Sequence, residues 1–463
     1  MKRVQPWIEE LKPPPDPWQV VQLLGGRRRL LFFDSAGASL ELARFSYLMA
    51  EPFAWLESRG PQVFLRGERQ QSDPWLVLAR ELSRNRRPTL AGLPPFQGGA
   101  AGLLGYDLCH WLERIPHHVR DQMKTPDMAI GFYDQVLAWD HKEERAWWIS
   151  WREGINRYDA FVNTAPVTVH HSPLTTHHSP IQSNFDRPGF LAAVRRAIEY
   201  IHAGDCFQVN LAQQLRADAV YPPFELYGRL RKCNPAPFAA YFDMGEFQIL
   251  SASPERFLQL VPNGEVITRP IKGTRPRGKT ERQDAANRDE LLVSAKDRAE
   301  NVMIVDLLRN DLGRVCEYGS VHVPGVCRLE SYPTVHHLVS EVRGLLRSDK
   351  TAIDLLRATF PGGSVTGAPK IRAMEIIAQL EPDARGPYCG CLGWIGFNGA
   401  MDTSILIRTF TQGHGWLQFP VGGGIVADSA PEKEYEETLH KAEGLLRALD
   451  FDNSPLTAHH LPK

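Results

Sequence analysis

Apolar residues run or alternate through LLFFDSA, MAIGFYDQVLAWD and RAWWISW, a period of two that predicts antiparallel strands, and the glycine-rich QGGAAGLLGYD reads as a turn region. Past residue 185 the period changes. FLAAVRRAIEYIHAG, AIDLLRATF and KEYEETLHKAEGLLRAL carry helical spacing and are interspersed with the strand-like FAAYFDM, FQILSAS, GEVITRP and TSILIRTFT. Helices and strands mixed without a strict βαβ repeat predict an α+β fold rather than a Rossmann fold. Residues 164–185, TAPVTVHHSPLTTHHSPIQSNF, lack any period and are rich in His, Ser, Thr and Pro, as an exposed linker is. The predicted organisation is a mainly β domain at 1–165, a linker at 166–185, a second domain at 186–450 and a tail at 451–463.

Two of the helices carry carboxylates that bear on function. Ser294-Ala-Lys-Asp297 resembles a capping box, and Ala299 to Leu308 are apolar almost all round before Gly313, which predicts a buried helix. Glu300 shares a face with Met303 and Ile304 and needs a partner there, either an arginine or a metal ion. The helix opening near Pro431 buries Tyr435, Leu439, Ala442, Leu446 and Leu449 by spacing. On another face Glu437 and Lys441 stand four apart, either as a solvated ion pair or with Glu437 facing Glu300 across a cleft, where two carboxylates, water and substrate oxygens would hold Mg²⁺. In PVGGGIVADS, Gly422, Gly423 and Gly424 follow a strand and form either an anion cradle or a sharp turn. PGGSVTGAPK fails as a P-loop because Lys370 follows Pro369 and no Ser or Thr comes after it. YCGCLGW lacks the first glycine of a nucleophile elbow, so Cys391 reads as a core residue and the chain is not expected to hydrolyse glutamine itself.

Composition narrows the classes. The 463 residues include 53 basic and 54 acidic side chains, so no global field favours nucleic acid or an anionic membrane. No signal-like apolar core or membrane-length apolar run is visible, and seven scattered cysteines without a C-x-x-C suit thiols in a reducing cytoplasm and disfavour a zinc site. His170, His171, His177 and His178 have no Cys or acidic partners at ligand spacing and read as solvated loop.

GDCFQVNLAQ, SASPERF, RPIKGT, SAKDRAENVMIVDLLRNDLGRV, VHHLVS, FPGGSVTGAPK, MDTSILIRT and GGGIVADS followed by EYEETLHKA occur in that order, and together they resemble the chorismate-utilising enzymes over residues 190–448. PFQGGAAGLLGYD and TPDMAIGFYD extend the likeness into the first half. The resemblance implies the anthranilate synthase component I-like fold, layered antiparallel sheets flanked by helices in two interwoven subdomains. Gln208 stands where water-adding members have a base lysine, which implies ammonia as nucleophile. Lys272 stands where ortho-aminating members have alanine, which implies amination at C4 to give 4-amino-4-deoxychorismate for p-aminobenzoate and folate. In the implied mechanism Lys272 attacks C2, Glu255 protonates the departing C4 hydroxyl, and ammonia then adds at C4 and expels the lysine. Neutralising an unperturbed lysine at pH 7 costs roughly 4.6 kcal/mol, so the site must lower its pKa.

By the same resemblance Glu300 and Glu437 are Mg²⁺ ligands. Arg408, Lys441 and Gly422 to Gly424 hold the substrate's acidic groups, Thr274 lies beside the substrate, and His337 and Thr366 contact the ring or leaving group. Alternatively Arg408 serves a buried carboxylate and His337 is a satisfied core histidine. Ammonia is expected from a separate glutaminase subunit in a heterodimer, and removal of pyruvate from a separate enzyme. Ser35, Arg44, Phe45, Pro237 and Phe238 match the family's tryptophan pocket, although Leu42 replaces a tyrosine there, and plain sheet packing is the alternative. Ortho amination to anthranilate, with pyruvate release, is the competing activity; the side chain of Lys272 would fill space that alanine leaves open beside C2.

Overall fold

The computed structural model describes residues 5–35, 42–118, 120–152, 157–163, 180–332 and 335–449. The four histidines of the linker, most of the linker itself and the tail from 451 lie outside the described residues. Two twelve-stranded sheets with antiparallel ladders form the frame. Each sheet takes strands from both sides of the linker. In the first, Phe238–Asp243 pairs with Leu31–Asp34; in the second, Cys391–Gly396 pairs with Gly99–Leu104. This is the interwoven α+β architecture the sequence implied.

The sheets face one another across an apolar layer in which Leu31, Tyr47 and Phe242 of the first meet Leu103, Ala129 and Trp394 of the second. The outer face of the first sheet is covered by helices Arg187–His202 and Pro431–Ala448, and that of the second by Ala295–Gly313. Among the described residues no helix is long and apolar enough to cross a membrane.

Three expectations change. QGGAAGLLGYD is not a turn region: Gly99–Leu104 is a fully buried central strand. Its glycines permit close backbone approach, since a Cβ on Gly99 would lie 2.2 Å from the Ile395 carbonyl oxygen. Gly99→Ala is expected to destabilise the fold by about 3 kcal/mol, read as a lower denaturation midpoint, because backbone cannot yield as a flexible side chain can. Helix Ala295–Gly313 is not buried all round: Ile304, Val305, Leu308 and Leu312 face the core, whereas Val302 is 50% exposed. TSILIRTFT is not one strand either. Met401–Ile405 lies in the second sheet and Thr409–Gly413 in the first.

That last break positions function. The chain crosses between sheets at 406–408, with Arg408 held at φ 53°, a left-handed conformation uncommon for a non-glycine residue. Another crossing lies between Phe247–Ser253 and Arg256–Leu260, which places Glu255 at that corner. The two corners touch, because the Ile405 amide donates to the Glu255 carbonyl at 3.1 Å.

Candidate active site

The crossings open onto a cavity of about 580 Å³ lined by Glu255, Lys272, Thr274, Glu300, His337, Arg408, Gly422, Gly424, Glu437 and Lys441. Ten of the residues singled out in the sequence therefore converge on one space. Lys272 enters from strand Ile271–Pro276, Glu300 from the capped helix, and Glu437 and Lys441 from helix Pro431–Ala448.

Glu255 is 5% exposed, and burial pushes its carboxyl up to about 7 against the opposing pull of the Ser364 hydroxyl and Lys272. Ser364 Oγ donates to Glu255 Oε1 at 2.7 Å, and the Lys272 ammonium donates to the Ser364 carbonyl at 3.2 Å. Desolvation holds Lys272 below the ordinary lysine range, although Glu300 and Glu255 pull the other way. Burial thus disfavours the charge on both groups, raising the carboxyl and lowering the amine.

Further carboxylates line the same cavity. Burial raises Glu300, partly countered by Lys272 and Lys296. Burial pushes Glu437 up as well, but Lys441 at 2.6 Å more than offsets this and leaves it below the usual range. Glu434, which the sequence reading missed, faces the same cavity; burial raises it, and it accepts a 2.6 Å hydrogen bond from Ser429. Glu437 repels both Glu300 and Glu434 in part. Among the described residues no group of three or more His, Cys, Asp or Glu is arranged as a metal cage. An open pair of hard oxygen donors facing a cavity that also admits water and substrate oxygens fits Mg²⁺, which keeps most of its octahedron for such ligands. The i, i+4 ion pair between Glu437 and Lys441 is present as well, with both residues in the lining of the cavity that Glu300 enters.

The glycine triplet is no turn. It lies inside strand Trp416–Ile425, where Gly422, Gly423 and Gly424 pair with Ala212, Leu211 and Asn210. Pairing with the strand on the other side ends at Gln418, so the later residues present a strand edge toward the cavity. Absent side chains allow close approach: a Cβ on Gly423 would sit 3.3 Å from Glu437 Oε1, and one on Gly424 would lie 2.6 Å from Gln208 Nε2. Lys441 also donates to the Gly422 carbonyl at 2.8 Å.

His337 and Thr274 are cross-strand neighbours, joined at 2.8 Å between Nδ1 and Oγ1. Burial and Arg408 lower the imidazole to about 4, which makes it neutral near pH 7. Arg408 donates to the Lys441 carbonyl, and burial lowers its pKa. Three residues stand apart from the cavity lining, Gly423 of the glycine triplet being the first. Thr366 is fully buried with its hydroxyl donated to the Gly362 carbonyl at 3.0 Å. Gln208 is fully buried behind Gly424, and neither of its amide atoms has a hydrogen-bond partner among the described residues. Lys370, rejected as a P-loop lysine, pairs with Asp311 at 2.6 Å, and Cys391 is buried in the core.

Ser364 lies in FPGGSVTGAPK, where neither the failed phosphate loop nor the family resemblance singles out the serine. Glu434 had a visible signal, one helical turn before Glu437 on the same face.

A second cavity of about 190 Å³ lies against Arg256, the neighbour of Glu255, and is lined by Ser35, Leu42, Arg44, Phe45, Pro237 and Phe238 among others. Ser35 Oγ donates to the Phe45 carbonyl at 2.6 Å, Arg44 pairs with Asp140 at 2.6 Å, and the Arg256 guanidinium rests 5.0 Å from the Phe238 ring.

Comparison with known proteins agrees with this geometry. A family model described as chorismate binding enzyme matches residues 31–447. Aminodeoxychorismate synthase component 1 of Escherichia coli (strain K12) is 43% identical over 425 residues, covering 91% of this chain and 93% of that protein. Anthranilate synthase component 1 of Thermus thermophilus is 43% identical over 370 residues, covering 79% and 80%. The crystal structure of anthranilate synthase component I from Streptococcus pneumoniae superposes with a TM-score of 0.75 at 35% identity, covering 87% of this chain and 92% of that one. Interwoven sheets, a cavity at their crossings and a family match over nearly the whole length lead to one conclusion: the chain belongs to the chorismate-binding enzyme family.

Proposed function

We propose that the chain aminates chorismate at C4, with ammonia supplied by a separate glutaminase subunit, to give 4-amino-4-deoxychorismate. The observation that carries this reading is Lys272 beside Glu255 in one desolvated cavity, in a chain 43% identical to an aminodeoxychorismate synthase component 1. The neutral amine of Lys272 attacks C2, the ring double bonds shift, and the C4–O bond breaks as Glu255 delivers its proton, so that water leaves. The new C2 ammonium returns a proton to Glu255. Ammonia then bonds to C4 and the C2–N bond breaks as Glu255 protonates the departing nitrogen, so that Lys272 leaves as a neutral amine; the C4 ammonium then returns a proton to Glu255.

Arg408, Lys441 and the glycine strand edge supply positive charge and backbone donors for the two substrate carboxylates, and neutral His337 with Thr274 flanks the ring. Glu300 and Glu437 would hold Mg²⁺, which when bound neutralises a substrate carboxylate. Exchanging either for glutamine is expected to raise the Mg²⁺ concentration for half-maximal rate at least about tenfold, measured by titrating the metal at saturating chorismate. The lining residues all fall between 210 and 441, which supports assigning the chemistry to residues 186–450. Seven free cysteines suit a reducing cytoplasm. The second cavity, with Phe45 and Phe238 in its wall, suits a bound tryptophan, with Leu42 offering no polar handle.

Incubating the purified chain with chorismate, Mg²⁺ and ammonium salt tests the reading. Mass spectrometry should find 4-amino-4-deoxychorismate; anthranilate, isochorismate or salicylate as main product would overturn it.

A further inference from the structure

The turn Gly363–Val365 brings one residue against both reacting groups at once. Ser364 is 7% exposed; its hydroxyl donates to Glu255 Oε1 at 2.7 Å while its carbonyl accepts from Lys272 Nζ at 3.2 Å. A serine hydroxyl has a single proton to donate. With that proton on Oε1, Oε1 is the accepting oxygen of the carboxyl, and the transferable proton belongs on Oε2.

We propose that Ser364 is a positioning residue that fixes which oxygen of Glu255 carries the reactive proton and stabilises the carboxylate left after transfer. The inference rests on Glu255 acting as the acid in C4 amination, and it adds a residue to that machinery.

The surroundings of Glu255 leave this role to Ser364. Strand Ile271–Pro276 contributes the Ile271 amide, which also donates to the carboxyl, and Lys272; helix Pro431–Ala448 contributes Lys441 at longer range. Cys389 is fully buried, and burial pushes its thiol up to about 12, so it brings no charge. Arg256, next in the chain, turns away to a bidentate pair with Asp402 at 3.0 Å for both bonds. Ser364 supplies the one side-chain hydrogen bond that the carboxyl receives among the described residues. Because a donor favours the ionised form, losing it raises the proton affinity of Glu255.

Ser364→Ala and Ser364→Thr, assayed at constant free ammonia across pH, test this. For the alanine variant kcat should fall about tenfold to a hundredfold with KM within about twofold, as expected when only proton transfer suffers. The alkaline limb of its kcat profile should move up by about one pH unit, the shift expected for one lost hydrogen bond to a charged group. Threonine should restore both. An independent reading is the infrared carboxyl band of Glu255, identified by its loss in Glu255→Gln; its titration should move to higher pH in Ser364→Ala and, by a smaller step, in Ser364→Cys. A fall in kcat with an unmoved alkaline limb and an unmoved carboxyl band would reduce Ser364 to a structural residue. If the wild-type chain gave no C4-aminated product, the functional reading would fail, while the infrared titration would still decide whether Ser364 governs Glu255.

Discussion

Lys272→Ala is expected to abolish C4 amination, with a loss on the order of 10³-fold or more, while circular dichroism and the thermal midpoint stay close to those of the parent chain. The magnitude follows from removing a nucleophile whose partners cannot act without it. Stability should change little because the side chain makes one hydrogen bond, to the Ser364 carbonyl, at a cavity wall and leaves no apolar core behind. Lys272→Arg separates a nucleophile from a mere cation. Guanidinium keeps the charge but stays protonated, so arginine should be as inactive as alanine. With ammonia withheld, the parent chain should gain the mass of chorismate less one water on the peptide containing Lys272. Turnover undiminished in Lys272→Ala would remove the covalent step.

Glu255→Gln is expected to lower kcat by about 10²- to 10⁴-fold, the contribution of a positioned general acid. Its pH dependence carries a sign. Burial raises Glu255 to about 7, so the protonated, competent form predominates below that pH and is lost above it. Lys272, depressed by desolvation, becomes more competent as pH rises. The parent chain should give a bell-shaped kcat profile with its alkaline fall near pH 7, and that fall should vanish from the residual activity of Glu255→Gln. The two groups share one proton in the working state, so the limbs belong to the pair rather than to either residue alone. A profile that keeps rising through pH 8 in the parent chain would contradict Glu255 as the acid.

Much of this site was legible because its residues sit in short local patterns. SPERF, RPIKGT and the two glutamate-bearing helices display their chemistry within a few positions, and periodicity locates the helices. The rest depends on approach between distant backbones. Glycine's turn propensity hid the Gly99–Leu104 strand and put Gly422 to Gly424 after a strand rather than within it, since only the partner carbonyl oxygens and the carboxylates of another helix reveal why side chains are excluded. The crossing at 406–408 interrupts a continuous apolar run, and no local signal marks a change of sheet. Val302 on the helix of Glu300 shows the converse: an apolar residue left exposed cannot be told from a core residue by period alone. Ser364 is legible only once the turn that carries it is seen against strands far away in sequence.

The account stands on burial selecting the uncharged amine of Lys272. Titration of ¹³C-labelled lysine side chains by nuclear magnetic resonance, with the Lys272 signal assigned by its absence from Lys272→Arg, measures this directly. A titration below the ordinary lysine range of about 10.4 is the result expected. A midpoint at or above that range would show the ammonium stabilised in place and would contradict a nucleophilic role.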